Sequence, residues 1–79
     1  MGEQLEYTLI NHYPLEDMVY VFIFVLYSKN NNIIDKKKIY VDTFFINDIG
    51  VDNFIDENID AFTKKLNLER NKRASNLFL

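Results

Sequence analysis

Between Met18 and Tyr27 the chain reads MVYVFIFVLY, ten apolar residues without a polar interruption. That is about half the roughly 20 residues a membrane-spanning helix needs. Residue type separates a buried strand from a buried helix. Val19, Val21, Ile23 and Val25 are β-branched, and Tyr20, Phe22, Phe24 and Tyr27 are aromatic. Both kinds lose rotamer freedom in a helix and fit the pleat of a sheet. The run therefore predicts a strand with two apolar faces: Met18, Tyr20, Phe22, Phe24 and Leu26 on one, Val19, Val21, Ile23, Val25 and Tyr27 on the other.

On either side the pattern changes. From Glu3 to Tyr13, Leu5, Tyr7 and Leu9 alternate with Glu6 and Thr8, which predicts a half-buried edge strand ended by Pro14. His12 to Asp17 reads as a connector. Ser28 to Asn32 is a turn, since Asn tolerates left-handed backbone, and Lys36, Lys37 and Lys38 suit an exposed sheet edge or loop tip. Ile39 to Ile46 predicts the third strand, with Ile39, Val41, Thr43 and Phe45 on one face and Tyr40, Asp42, Phe44 and Ile46 on the other. Asn47 to Gly50 breaks the chain, and Gly50 stands where positive φ is expected.

A different period follows. Val51, Ile55, Ile59, Phe62 and Leu66 recur at helical spacing, with Asp52 or Asn53 as N-cap and Lys64 and Lys65 suited to the dipole at the far end. The pattern falters at Asn67, and Leu68 to Leu79 reads as a second, shorter helix carrying Leu68, Ala74, Leu77 and Phe78. The prediction is a single α+β domain over residues 1–79: a three-stranded antiparallel meander, then one amphipathic helix and a short C-terminal helix packed on one sheet face.

Composition narrows the function classes. A chain of 79 residues with 48% hydrophobic content forms one small core and is not disordered. It contains no Cys, which removes disulfides and thiolate metal sites and suits a cytoplasmic setting. The start, Met-Gly-Glu-Gln-Leu-Glu, is acidic where a secretory signal would be basic. Net charge is −3, unevenly spread. Ile39 to Thr63 holds Asp42, Asp48, Asp52, Asp56, Glu57 and Asp60 with no Lys or Arg, whereas Lys64 to Leu79 holds Lys64, Lys65, Arg70, Lys72 and Arg73 against Glu69 alone. Such asymmetry speaks of partners rather than of fold.

Candidate chemistry is sparse. His12 is the sole His and sits beside Tyr13-Pro14, a loop setting rather than that of a general base. Neither Ser28 nor Ser75 has a nucleophile's surroundings. Asp48, Asp52 and Asp56 lack the glycine and closing Glu of a calcium loop. No catalytic residue, cofactor site or metal site is expected. The acids Asp48, Asp52, Asp56, Glu57 and Asp60 are candidates for contact with a basic protein partner, set against a solvated helix face with acids favouring its N-terminal turn. The segment Lys65-Leu66-Asn67-Leu68-Glu69-Arg70, followed by basic residues, resembles the second half of a helix-turn-helix or ribbon-helix-helix DNA binder. That resemblance implies a turn near Asn67 and DNA contacts by Lys64, Lys65, Arg70, Lys72 and Arg73. Lys38 to Asp42 resembles an aromatic RNA-binding strand, where Asp42 would repel phosphate.

The sequence-level expectation is a non-enzymatic interaction module that binds a basic partner through its acidic helix flank. By analogy of size and charge it suits a phage-type inhibitor or modulator of a nucleic-acid-handling enzyme. The alternative is a small DNA-binding regulator using the basic C-terminal helix. No membrane association and no duplex binding near physiological salt are expected. Because one helix covers one sheet face, the second face should be an interface with a second copy or with a target, a homodimer being the commoner case, unless the short C-terminal helix folds over it; Tyr20, Phe22, Phe24, Tyr40 and Phe44 are its apolar residues.

Overall fold

The computed structural model describes residues 5–77, with side chains described for residues 5–71. Three strands, β1 (Tyr7–Glu16), β2 (Val19–Tyr27) and β3 (Ile33–Asp42), precede a short helix α1 (Thr43–Asn47) and a long helix α2 (Val51–Leu77). The sheet is antiparallel in the order β1-β2-β3, so the apolar run is the central strand. The expected α+β class and meander are present.

The turns follow residue chemistry. Asp17 and Met18 alone join β1 to β2. In the β2–β3 turn, Asn31 takes φ 65°, and the Ser28 hydroxyl accepts from the backbone N–H groups of Asn30 and Asn32 at 3.3 and 3.2 Å. Gly50 has φ 87°, as its place before the helix predicts. Its carbonyl accepts the Phe54 N–H at 3.0 Å and its own N–H donates to the Ile46 carbonyl at 2.7 Å, so this one residue links the two helices.

The boundaries differ from the sequence-based reading in four places, each with a physical cause. β1 starts at Tyr7, with Glu3 outside the described residues, and runs through Pro14 to Glu16. An edge strand has a side with no ladder partner, where a missing N–H costs little, and the register breaks at Leu9/Asn11 and Pro14/Glu16 accommodate the rest. β3 begins at Ile33 and includes all three lysines. It stops at Asp42, whose carboxylate accepts the Phe44 N–H at 2.9 Å and so caps α1. Thr43 to Ile46 is therefore helical rather than extended, and the short helix precedes the long one. Finally, α2 passes Asn67 without a turn; the apolar period fades there because no described residue beyond Leu66 reaches the core. Phe78 of the expected tail lies outside the described residues, as do the side chains of Ala74 and Leu77.

The core lies between α2 and one face of the sheet. Tyr7, Phe22, Phe24, Leu26, Ile46, Phe54 and Leu66 form its buried cluster, with Leu9, Ile39, Val41 and Phe62 packed around it. Phe54, outside the stripe expected for the helix, is one of its centres: its ring stacks on Phe22 at 5.6 Å between centroids. Phe62 meets Phe24 edge-on at 6.3 Å. The Tyr7 hydroxyl donates to the Asp35 carboxylate over Leu26, which ties the two edge strands together. On the other face, Val21, Ile23 and Val25 lie between Tyr13 and Tyr40, Asn11 and Lys38, and Thr8 and Lys36 respectively. Among the described residues no helix packs there, yet Val21 is only 1% exposed and Val25 0%.

Candidate functional site

The expected apolar interface is not one surface. Phe22 and Phe24 are core residues under α2, and Tyr20 is half-buried beside them. Tyr40 is exposed on the opposite sheet face, and Phe44 is exposed on α1. The correction follows from strand parity, because the helix covers the aromatic row of β2 rather than the β-branched one. His12 also belongs to this cluster. Its Nδ1 lies 2.9 Å from the Tyr20 hydroxyl, and its ring stacks on Tyr20.

The acids also divide. Asp48, Asp52, Asp56, Glu57 and Asp60 are all exposed. At roughly 100° per residue, Asp52, Asp56 and Asp60 follow one flank of α2, beside Ile55 and Ile59, while Glu57 projects from a different flank. Asp48, in the α1–α2 turn, and Glu57 share a groove with one another but not with the other three.

That groove is a concavity on the helix side of the sheet. Helix α2 leans toward β1, so it leaves the outer part of β3 uncovered, where Ile39 and Val41 remain half-buried. The floor and one wall are Val41, Phe45 and Ile49; Phe54, Asn58 and Phe62 form the other wall. The volume is about 440 Å³. Phe45 is 60% exposed although it lines the groove, so the apolar surface continues onto α1 and Phe44. The only charged groups in the lining are the carboxylates of Asp48 and Glu57. Asn58 is held by its own helix, its Nδ2 donating to the Phe54 carbonyl at 2.9 Å. The arrangement offers an apolar seat with negative charge beside it. Among the described residues no group of three or more His, Cys, Asp or Glu is placed to hold a metal ion.

The basic residues have a different setting. Lys64, Lys65 and Arg70 are exposed on α2, and Lys72 and Arg73 follow on the same helix with side chains outside the described residues. The turn implied by the likeness to helix-turn-helix proteins is absent, since α2 is continuous through Asn67. Among the described residues no helix is long and apolar enough to cross a membrane.

The groove is hidden in the sequence because Phe45 reads there as a strand residue and sits on α1 instead, whereas Ile49 lies in the break between the two helices as expected. The signal available was Asp42-Thr43, a helix-capping pair inside an otherwise strand-like run. A scan against family models, a search of curated proteins and a search of solved structures each found no match to this chain.

Proposed function

We propose that this protein is a non-enzymatic interaction module that takes a basic, apolar-anchored segment of another protein into the groove between β3, α1 and α2. The observation that carries the reading is the composition of the groove. Its walls are aromatic and aliphatic, and both of its charged lining residues are acids. A Leu or Phe side chain of a partner would gain about 25 cal/mol per Å² of apolar surface removed from water. A Lys or Arg next to it would meet Asp48 or Glu57, which favours encounter and register more than affinity. Asp52, Asp56 and Asp60 extend the negative field along α2 without entering the groove. A modulator of a nucleic-acid-handling enzyme fits this chemistry, because such enzymes present basic surfaces.

The test uses fluorescently labelled synthetic peptides with a Leu or Phe anchor, flanked either by Lys/Arg or by Asp/Glu, and follows anisotropy at low and physiological salt. The basic series should bind, should weaken as salt rises, and should weaken several-fold more on the chain carrying Asp48→Asn and Glu57→Gln. Equal binding of the two series, or binding indifferent to the double variant, would refute the groove as the site. DNA binding through Lys64, Lys65, Arg70, Lys72 and Arg73 is the alternative, which a salt-sensitive, sub-micromolar affinity for random duplex would favour.

A further inference from the structure

Helix α2 is longer than the sheet can use. Its 27 residues span roughly 40 Å, but its last core residue is Leu66. Eleven residues, 67–77, therefore continue for roughly 16 Å past the core contact. Leu68 on this extension is 56% exposed, and Glu69, Arg70 and Asn71 are exposed with it. A lone helical extension of that length is marginal in water, so an apolar residue standing on it needs an account.

Charge divides the same helix in two. Val51 to Thr63 contains Asp52, Asp56, Glu57 and Asp60 and no base, and Lys64 to Leu77 contains five bases against Glu69. Two copies of such a helix attract when antiparallel and repel when parallel. The helical period adds a register. Glu57, Ala61, Lys65 and Leu68 recur at spacings of four, four and three, so they share one stripe of α2, and this stripe borders the groove through Glu57. Ala61, the smallest of the four, is exposed at the middle of the stripe.

We infer that the chain associates with a second copy of itself through antiparallel α2 helices related by a twofold axis at Ala61. About that axis Lys65 of each copy lies opposite Glu57 of the other, and Leu68 of each falls level with Phe54 in the wall of the other's groove. Ala61 permits close approach where the helices cross, since interaxial distance depends on the side chains at the contact. The basic half of each helix then runs along the acidic half of its mate. The occupant is a second copy because the chain carries both complementary parts, and reciprocal contacts of this kind are what a twofold dimer requires. The inference shares its groove with the proposed function but does not require a foreign partner.

The experiment is sedimentation equilibrium of the full chain from about 1 to 200 μM, at low and physiological salt. The expected result is a reversible dimer, twice the 9.4 kDa chain mass, that dissociates more readily as salt rises. Ala61→Arg should give a monomer with an unchanged circular dichroism spectrum and melting temperature within a few degrees. Glu57→Lys and Lys65→Glu, each alone, should weaken association at least tenfold, and the two mixed one to one should recover it as a heterodimer. A monomer at every concentration, or a dimer indifferent to all three substitutions, overturns the inference. Peptide binding measured on the dissociated Lys65→Glu chain keeps the two readings apart, since Lys65 lines no part of the groove: binding there without a parental dimer sinks the dimer alone, and a parental dimer without peptide binding sinks the foreign partner alone.

Discussion

The two faces of β2 each carry an apolar row and bury it in different surroundings. On one face Phe22 and Phe24 lie beneath α2, in ring contact with Phe54 and Phe62. On the other, Val21, Ile23 and Val25 are buried with no described helix over them, between their register partners on β1 and β3. The two rows differ in side-chain length. An aromatic ring stands proud of the pleat and needs another layer, whereas a β-branched side chain is short enough to be flanked. Lysine is suited to the flanking role because its aliphatic stem covers apolar surface while its ammonium stays in water. What reaches solvent on this face is the rim, including Tyr13 and Tyr40.

The largest expected effect tests whether the faces differ in energy as they do in construction. Phe22→Ala removes a fully buried ring and should cost roughly 3–5 kcal/mol, enough to leave a domain of this size largely unfolded. Val25→Ala on the other face should cost roughly 2 kcal/mol, from two methyl groups and a small cavity. Urea denaturation of both variants at one protein concentration measures the contrast. Equal losses would mean that the β-branched face is covered by something larger than its neighbours.

Next comes the bond across the helix-side face. Tyr7→Phe keeps the ring but removes the donor to Asp35. A hydrogen bond to a charged group contributes about 1.5–3 kcal/mol, and because Asp35 is only half-buried, water should replace part of it. Thermal melting should show a loss of about 1–2 kcal/mol. No loss would mean that packing alone holds this face.

The smallest effect concerns shielding. Replacing Lys36 and Lys38 together by Ser removes the stems beside Val25 and Ile23. Stability should fall by less than about 1 kcal/mol, and binding of a dye that reports exposed apolar surface should rise. Replacement by Met, which keeps the stem and drops the charge, should restore the stability. If Ser and Met behave alike, the ammonium charge rather than the stem is what matters there.

Much of this architecture was legible in the sequence, and the failures share a cause. β2, the positive φ at Gly50 and an Asn-rich turn with left-handed backbone all follow from local chemistry. Where β3 starts stays open in the sequence, because Lys36 to Lys38 suit a loop tip as well as a sheet edge; they lie on an edge strand whose open flank tolerates them. α1 was missed because Phe44 and Phe45, at 73% and 60% exposure, are apolar residues that the helix turns outward. The end of the main helix was misjudged because apolar period reports contact with a core, not helicity itself. The groove went unseen for the same reasons, as it lies where the misassigned segment folds back. Of the five acids that the sequence singles out, Asp48 and Glu57 line it, and Asp52, Asp56 and Asp60 follow another flank of α2.

The order of strands in space repeats their order in the chain, and that has a kinetic consequence. Each strand pairs with its immediate successor, the first pair across a two-residue turn. Hairpins of this kind close in roughly 1–10 μs, and a helix elongates faster still. Neither step requires distant segments to search for one another. What remains is the docking of α2, which brings Phe54 and Leu66 onto residues as remote in sequence as Tyr7. That contact closes a long loop, and loop closure must be met before packing rewards it. The barrier to folding should therefore sit in the arrival of the helix on a preformed meander, with substitutions at Phe54 slowing folding and those at Val25 chiefly hastening unfolding.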